Sequence, residues 1–452
     1  MNRLNFDITI MPFRESLYFI TDFGAKSGGN FKNTKAINQA IEKCSQEGGG
    51  KVVVPRGIWY TGPIILKSNV NLYLEDGAVI LFSSDFDDYP LIYTSWEGFF
   101  TYRCISPVCA ENCENIAITG NGVIDGNGSA WRPIKKFKMT VDVWNELISS
   151  GGIVDEEAED ITWWPTESAM WADRAIRKDS SIIKNEELCK KYRDYLRPVL
   201  VNFTNCKNIL LDGPTFQNSP AWCIHPWKCS NIIVKNINVR NPWFSQNGDG
   251  IDIDSCNFVK ILDSTFDVGD DAICIKSGKN KDGRDLGIKC ENVIIENCIV
   301  YHGHGGFVIG SEMSGGVKNI EVNNCTFIGT DTGIRFKSCI GRGGVVEDVY
   351  INNIDMTLIE NEAIIFTMGY DIDTKEGQKI NDEEIPEFKD ITIENVNCVM
   401  ADKPICICGL NVKHIHDINF KNINIKSKKM GEIKYADNIN QFNVNIDVDN
   451  NL

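Results

Sequence analysis

The feature that most constrains the fold of this chain is a repeat that begins near Glu111 and returns along most of the remaining sequence. Each copy places an Asn or Asp at a turn and then alternates β-branched and polar residues over a short stretch. Most neighbouring copies lie roughly 23 to 30 residues apart, a period typical of solenoid proteins. The copies are Asn112–Ile118, Asn205–Leu211, Lys228–Val234, Lys289–Ile295, Val317–Val322, Val346–Ile351, Phe388–Ile393 and Ile415–Phe420.

Short strands separated by polar turns cannot bury their apolar side chains alone. They can do so when every coil stacks on the next and pairs with it in parallel. The repeat therefore predicts an all-β fold, a right-handed parallel β-helix that one chain forms as a single domain over residues 1–452. A leucine-rich or helical solenoid is disfavoured because the repeat region lacks long runs with a 3.6-residue period. Asn side chains at the same turn of successive coils are expected to form a ladder of amide hydrogen bonds.

One break in the repeat is an amphipathic segment near the N-terminus. Residues 33–47 carry apolar side chains at helical spacing, and three glycines at positions 48–50 end the pattern. A helix here would cover the end of the solenoid, which otherwise exposes unpaired strand edges. We therefore predict an N-terminal capping helix.

Composition limits the partners and the compartment. The formal net charge is −16, so nucleic acid and anionic lipid are expected to be repelled, and an acidic ligand would need cations gathered locally. The first 21 residues lack a signal-peptide core, and no apolar stretch of about 18 residues predicts a membrane helix. The 17 cysteines are scattered singly, which favours buried free thiols over disulfides or metal ligands. These features predict a cytoplasmic protein without a metal.

Chemically distinctive residues recur in consecutive coils of the predicted solenoid. Asp249, Asp270, His304 and Arg335 follow one another at intervals of about one coil. Residues one coil apart in a parallel β-helix lie about 4.8 Å apart along the axis, so these side chains are expected to line one groove. The segments that carry them are Gln246–Asp254, Val268–Ile273, Tyr301–Gly306 and Gly333–Ser338.

Local geometry adds further members to this predicted cluster. Arg335 and Lys337 are two positions apart, so they share a face of a strand. Asp270 and Asp271 are adjacent and would point to opposite faces of a regular strand. Gly269 before them suggests a bend that turns both carboxyl groups toward the groove.

Such a cluster suits hydrolysis of a glycosidic bond. One carboxyl group must protonate the leaving oxygen, and a carboxylate must act on a water or on the anomeric carbon. Crowded carboxylates raise one another's pKa, so that one of them stays protonated near neutral pH. Acids spread over two coils would lie roughly 5 to 10 Å apart, which covers both the inverting and the retaining geometries. Arg335 and Lys337 are placed to hold a substrate carboxylate.

Neighbouring residues have less specific roles. Asp252 and Asp254 share a face and fit turn residues or supporting groups equally well. His225, one coil earlier, is a candidate wall of the groove. The remaining histidines, which lie outside these patterns, are expected to be structural or exposed: His302, His414 and His416.

The four segments closely resemble the signature motifs of glycoside hydrolase family 28, the polygalacturonases. That family carries Asn-Thr-Asp, Gly/Gln-Asp-Asp, Gly-His-Gly and Arg-Ile-Lys in this order. The resemblance covers nearly the whole chain, because Asp22–Ala25 also looks like the start of that family's domain, and it implies a pectin-lyase-like β-helix. The corresponding stretches are Asn247–Asp249, Gly269–Asp271, Gly303–Gly305 and Arg335–Lys337.

The resemblance implies a role for each of the three aspartates. Asp270 would be the general acid. Asp249 and Asp271 would activate the attacking water, which inverts the configuration of the anomeric carbon. No cofactor and no metal are implied.

The resemblance also implies how the substrate is held. His304 would tune the acid or contact the sugar, and Arg335 and Lys337 would bind a galacturonate carboxylate. Gly248 stands where the family has Thr, and Phe336 stands where it has Ile. Neither difference removes a charged group.

A second break in the repeat, at about residues 130–197, is rich in tryptophan and charge. A segment of this length is usually functional or disordered, and tryptophan faces stack on sugar rings, so we expect it to contact the glycan. A lid packed on the flank of the solenoid is the alternative. Together with residues 85–103, it could close one end of the groove.

These inferences predict hydrolysis of α-1,4-linked galacturonic acid in pectin-derived oligosaccharides, from a chain end and with inversion. Rhamnogalacturonan and xylogalacturonan fragments are the next candidate substrates. A calcium-dependent pectate lyase and a non-catalytic glycan-binding solenoid are the alternatives of other classes. An acidic oligosaccharide is the expected partner, and the oligomeric state stays open.

Overall fold

The computed structural model of the protein describes residues 4–370 and 380–449. Thirty of its strands join into one hydrogen-bonded network that winds through successive coils. The pairing between coils is parallel, and the coils stack into the right-handed parallel β-helix that the repeat predicts.

Each coil contributes strands to three sides of the solenoid. Strands of the first sheet are Leu17–Phe19, Gly50–Val54, Val70–Leu74, Glu114–Gly120, Lys207–Asp212, Ser230–Lys235, Asn257–Leu262 and Cys290–Glu296. Strands of the second sheet are Gly57–Thr61, Ala78–Phe82, Val123–Asp125, Thr215–Gln217, Asn238–Arg240, Thr265–Asp267 and Ile299–His302. Long strands then run through the turn between these sheets: Val317–Ile328, Val345–Thr357, Glu387–Cys408, Ile415–Ser427 and Ala436–Val448.

The third sheet, which we call the groove sheet, carries the residues of interest. Its strands are Ile64–Ile65, Val108–Glu111, Val201–Thr204, Ile224–Trp227, Ile251–Asp254, Asp271–Lys276, Gly305–Ile309, Ile334–Lys337, Ile359–Thr367 and Ile433–Lys434. The last part of Glu387–Cys408 also pairs with it.

The interior of the solenoid is built from columns of apolar side chains. Residues one coil apart are in register, so like side chains stack on one another. Phe336 and Phe366 are fully buried, and their rings lie parallel with centroids 4.3 Å apart. Alternation along each strand sends the next residue outward, so one inward phenylalanine leaves its neighbours facing the groove.

The predicted asparagine ladder is present at the turns. Asn231 donates from Nδ2 to Oδ1 of Asn208 at 2.9 Å, and Asn319 donates to Asn292 at 3.1 Å. All four residues have positive φ angles, between 55° and 58°. Asn tolerates this left-handed conformation better than most residues and uses its amide to tie one coil to the next.

The helix Thr34–Gln46 covers the first coils, as predicted. Its apolar face is buried against strands of the first sheet and of the groove sheet. Ile37, Ile41 and Cys44 belong to the same apolar core as Val52 and Leu72. The helix therefore closes the N-terminal end of the solenoid interior.

The segment between Val123–Asp125 and Val201–Thr204 forms small elements outside the coils. A three-stranded antiparallel sheet comprises Ile134–Lys135, Ile153–Asp155 and Thr162–Trp164. The α-helices are Val141–Ser149, Glu167–Lys178 and Glu186–Cys189, with another, Asn280–Leu286, farther along the chain. A hairpin, Leu91–Trp96 with Phe99–Cys104, lies beside them. The 3-10 helices are Ile20–Phe23, Phe86–Asp88, Gly128–Ala130, Lys136–Lys138, Ser180–Lys184, Lys190–Tyr192 and Asp382–Glu384.

The expectation that the tryptophans of this segment offer their faces to a glycan was largely wrong. Trp131, Trp144, Trp163 and Trp164 are all at least nine-tenths buried. The segment is too far from the solenoid core to share it, so these rings build small apolar cores of their own. Trp171 is the exception, with half of its surface exposed.

Within residues 4–370 and 380–449, no helix is long and apolar enough to cross a membrane. All 17 cysteines are free thiols, and all but Cys109 and Cys408 are buried.

Candidate active site

The register of the groove sheet positions the predicted cluster. Asp252 pairs with Cys274, Cys274 with Val308, and Val308 with Arg335, so these positions form one column across four coils. The column lies on the outer face of the solenoid, where side chains point into the groove. The motif residues that flank it, before and after each strand, are thereby brought to one place.

Three aspartates converge at the start of these strands. Asp249, Asp270 and Asp271 each have a carboxylate oxygen within 4.8 Å of the others. Gly269 allows this convergence, because a Cβ atom there would lie 2.4 Å from the carbonyl oxygen of Pro242. Among the three, Asp270 faces the groove, with 22% of its side chain exposed, while Asp249 and Asp271 are buried beneath it.

His304 connects Asp270 to the segment between residues 130 and 197. Nδ1 of His304 lies 3.1 Å from Oδ1 of Asp270 and donates to it. On the other side of the ring, Nε2 lies 3.3 Å from Nζ of Lys138 and 3.8 Å from Oδ2 of Asp331. The imidazole is therefore held on both sides, with its orientation set by Asp270.

Arg335 and Lys337 lie on one strand, two coils after the strand that begins at Asp271, and both approach the Asp271 carboxylate. Nζ of Lys337 donates to Oδ2 of Asp271 at 2.7 Å, and Nη1 of Arg335 lies 3.8 Å from Oδ1. The ring of Tyr370 lies 5.2 Å from the Arg335 guanidinium and 4.8 Å from Lys337 Nζ. All six predicted site residues are thus brought together, in a protein whose overall charge is strongly negative.

Charge and burial shift the pKa values of Asp249 and Asp270 in opposite directions. Burial, together with the charges of Asp252 and Asp270, raises the pKa of Asp249 well above its usual range. Burial also acts on Asp270, but the charge and hydrogen bond of His304 outweigh it and lower the pKa of Asp270. Burial would likewise lower the pKa of His304, yet the charge of Asp270 outweighs it and the pKa is raised. The pKa values of Asp249 and Asp270 are therefore shifted in opposite directions, upward by burial and neighbouring acids and downward by His304.

A second charged group lies beside this cluster, two positions farther along the same strand as Cys274. Lys276 is buried and forms an ion pair with Glu312 at 3.0 Å, and it lies 3.5 Å from Asp252. Its ammonium group also lies 4.9 Å from the ring centre of Trp222. Burial raises the pKa of Asp252 to about 8, although Lys276 opposes this shift.

The two differences from the family motifs have local explanations. A Cβ atom at Gly248 would lie 1.8 Å from Oγ of Ser245, so Ser245 fills the space that a larger side chain would need. Phe336 points inward and stacks on Phe366, which leaves Arg335 and Lys337 on the groove face. Neither difference changes the charged groups.

The other residues singled out from the sequence, Asp254 and the histidines other than His304, contact neighbouring protein groups. Asp254 accepts hydrogen bonds from Ser255 and from the backbone of Gly278, and it lies 3.3 Å from Nε2 of the buried His225. His225 is almost fully buried and packs edge-on against Trp222, so its place in a wall of the groove stays a prediction. The three remaining histidines bond to nearby backbone or acidic groups: His302 to Val268, His414 to Asp437, and His416 to Glu387 and Asp417.

A cavity of about 1060 Å³ opens next to the aspartates. Its walls come from the hairpin 91–104, the segment 130–197 and the residues Gln246 and Asn247 that precede Asp249. The two segments predicted to close one end of the groove therefore line a common cavity, and the closure itself stays a prediction.

Sequence reasoning missed several residues of this region. Lys138, Arg103 and Arg197 lie outside the repeat, so their distance from the motifs in the chain hid their positions. Arg197 donates to Oδ1 of Asn247 at 2.9 Å. The signal that could have identified them was the concentration of arginine and tryptophan in the two irregular segments.

The raised pKa of Asp252 predicts a specific dependence of stability on pH. The unfolded chain releases this proton near pH 4, but the folded protein keeps it until about pH 8. Folding stability from this group is therefore lost as the pH rises from 4 to 8. Asp252→Asn cannot ionise, so relative to the wild type it should gain free energy of unfolding over this range, on the order of a few kcal/mol by pH 8.

Denaturant unfolding at several pH values measures this difference. Glu15→Gln is the control, because it removes a carboxylate whose side chain is 93% exposed, and its curve should parallel the wild type. A parallel curve for Asp252→Asn would show that Asp252 is ionised throughout.

Comparison with known proteins places this geometry in a family. The model described as Glycosyl hydrolases family 28 matches residues 180–443. The solved structure of a hyperthermoactive exopolygalacturonase from Thermotoga maritima superposes with a TM-score of 0.82 and 30% identity, and the match covers 97% of this chain and 94% of that one.

Curated relatives agree with this assignment. The "Exo-poly-alpha-D-galacturonosidase" of Dickeya chrysanthemi is 27% identical over 94% of this chain and 69% of that protein. The "Probable polygalacturonase" of Vitis vinifera is 30% identical over 75% of this chain, and the match spans 60% of that protein. The family model covers more than half of this chain and includes all four motifs, so the chain belongs to glycosyl hydrolase family 28 and is a glycosidase.

Proposed function

We propose that this glycosidase hydrolyses α-1,4-linked galacturonic acid residues of pectin-derived oligosaccharides, from a chain end and with inversion. The observation that carries the proposal is the meeting of three aspartates with Arg335 and Lys337 in one groove. The aspartates supply acid and base groups, and the two cations supply a site for the carboxylate of a uronic acid. A neutral sugar would leave those cations without a partner on the substrate.

The cations are suited to a carboxylate for physical reasons. Burial would lower the pKa of Lys337, but the negative charge of Asp271 outweighs it and raises the pKa, so Lys337 stays charged. Arg335 keeps about a fifth of its side chain exposed to the groove. A guanidinium can bind a carboxylate through two parallel hydrogen bonds, which fixes the orientation of the sugar.

Asp270 is the proposed general acid, because it is the aspartate that faces the groove. In the free protein it is ionised beside His304. A galacturonate that enters the groove excludes water and brings another negative charge. Both effects raise the pKa of a carboxyl group, so Asp270 takes up a proton from the bulk solvent as the substrate binds. The family resemblance assigns the same role.

Asp249 and Asp271 are proposed to activate the attacking water. Within the described residues, Oδ1 of each has no hydrogen-bond donor, so both oxygens can accept hydrogen bonds from one water. Retaining enzymes separate their two carboxyl groups by roughly 5–5.5 Å and inverting ones by 6.5–9.5 Å. The carboxylate oxygens of the three aspartates come within 4.8 Å of one another, which is shorter than the inverting separation. The proposal of inversion therefore rests on the two unpaired oxygens and on the family resemblance.

Action at a chain end is supported by the walls of the cavity. The hairpin 91–104 and the segment 130–197 stand beside Asn247, on the N-terminal side of the aspartates, and limit the groove there. The names of the Dickeya and Thermotoga relatives indicate exo-action for those proteins. The cytoplasmic location stays a prediction.

Product analysis tests the reaction. Purified protein is expected to convert trigalacturonate into shorter saturated galacturonides, with one new reducing end per cut and the β-anomer as the first product in proton NMR. On longer oligomers, only monomer or dimer should appear at first. Products that absorb through a conjugated double bond would indicate a lyase, the α-anomer would contradict inversion, and an inert protein would refute the proposal.

Activated leaving groups test the roles of the aspartates. Removing a general acid costs about 10²–10⁴-fold in rate. Asp270→Asn should lose this much on trigalacturonate but stay within about tenfold of the wild type on nitrophenyl galacturonide, whose leaving group needs little protonation. Asp249→Asn should be impaired on both substrates, because water activation is still required.

Asp355→Asn is the matched control, since this exposed aspartate lies on a strand away from the groove. It should behave as wild type on both substrates. Recovery of Asp249→Asn rather than Asp270→Asn on the nitrophenyl substrate would reverse the two roles.

A further inference from the structure

Two arginines in the cavity beside the aspartates are buried without a carboxylate partner. Arg103 and Arg197 line this cavity and are each about nine-tenths buried. Within residues 4–370 and 380–449, no carboxylate oxygen lies within 4 Å of either guanidinium. Three other cations of the wall differ, because they have acidic partners: Lys135 with Asp160, Arg174 with Asp155, and Arg177 with Asp173. Lys178 also lines the cavity, but it is exposed to solvent.

The contacts that hold these two arginines are neutral. Arg103 donates from Nη2 to the carbonyl oxygen of Arg197 at 2.7 Å, and its guanidinium lies 3.8 Å from the ring centre of Trp96. Arg197 donates from Nη1 to the carbonyl oxygens of Pro220 and Gln246, at 3.0 and 2.8 Å. These bonds fix both side chains in place but do not neutralise them.

An unpaired buried cation is costly for the folded protein. Burial lowers the pKa of Arg103 to about 10 and also lowers the pKa of Arg197, although both remain charged near neutral pH. Glu97 and Asp173 also line the cavity and act on these cations from a distance, without forming an ion pair with them. Two fixed positive charges that line one cavity provide an attractive site for an anion.

The position of this pair relative to the aspartates indicates which kind of anion would reach it. Arg197 contacts Asn247, two residues before Asp249, on the N-terminal side of the aspartates. Arg335 and Lys337 lie on the opposite side, on a strand two coils after the one that Asp271 begins. An oligosaccharide that lies along the groove therefore meets a cationic site on each side of the position where it is cut.

We infer that Arg103 and Arg197 bind the carboxylate of a second uronic acid, on the other side of the cleaved bond from the sugar held by Arg335 and Lys337. This inference rests on the proposed function and specifies its substrate. The enzyme selects contiguous galacturonates, as in homogalacturonan fragments. It selects against rhamnogalacturonan fragments, in which the neighbouring sugar is neutral.

Substrates that differ in one carboxylate test this inference. Trigalacturonate is compared with three trimers in which galactose replaces a single galacturonate, at the first, the second or the third position. For the wild type, one of these replacements should remove the contact with Arg103 and Arg197 and lower kcat/KM by about 10- to 100-fold, as expected for a charge-assisted hydrogen bond.

Variants assign that loss to the arginine pair. Arg103→Gln should lower kcat/KM on trigalacturonate by a similar factor and abolish the discrimination between it and the trimer that lacks this contact. Arg103→Lys, which keeps the charge, should retain part of the discrimination. Arg177→Gln is the control, because this arginine is 75% exposed and is paired with Asp173, and its discrimination should equal that of the wild type.

The outcomes separate the inference from the proposed function. A loss of kcat/KM on only one of the three substituted trimers would overturn the inference and leave the proposed function standing, because the site of Arg335 and Lys337 alone accounts for one sensitive position. Wild-type discrimination in a folded Arg103→Gln protein would also overturn it. Failure to cut any of the trimers would refute the proposed function. The comparison of substrates on the wild type needs no variant, so it decides the question even if Arg103→Gln does not fold.

Discussion

The in-register stacking of parallel coils is the constraint on which the rest of this structure depends. Each coil repeats the position of the one before it at a spacing of about 4.8 Å, so residues some 20 to 35 positions apart in sequence become neighbours in space. The aspartates come from two coils, His304 from a third and Arg335 from a fourth. The apolar columns inside the solenoid fix this register, because slippage by one residue would exchange the inward and outward faces.

The same stacking explains how an acidic protein can bind an acidic sugar. The net charge of −16 is spread over the molecule, whereas the groove gathers Arg335, Lys337 and Lys276 within a few coils. Buried acids hold these cations at fixed positions, and the pair Arg103 and Arg197 adds positive charge on the far side of the aspartates. Local placement, rather than overall charge, therefore determines which ligand the groove attracts.

The repeat allowed the fold and the six motif residues to be predicted from sequence, because periodicity states directly which positions stack. It could not place Arg103, Lys138 or Arg197, since these lie in segments without a period. The prediction that the tryptophans of the segment 130–197 contact the glycan was largely wrong for a related reason. This segment lies outside the solenoid core, so it builds small cores of its own from its largest apolar side chains. The ionisation of Asp270 depends on its contact with His304, a distance that spacing alone does not supply.

A crystal structure of the Asp270→Asn protein with bound trigalacturonate would test the central claim most directly. The account predicts one galacturonate carboxylate within hydrogen-bonding distance of Arg335 and Lys337, with the glycosidic oxygen facing residue 270. It also predicts a water held between Asp249 and Asp271. A sugar chain bound outside this groove, or one whose carboxylates avoid both cationic sites, would contradict the account.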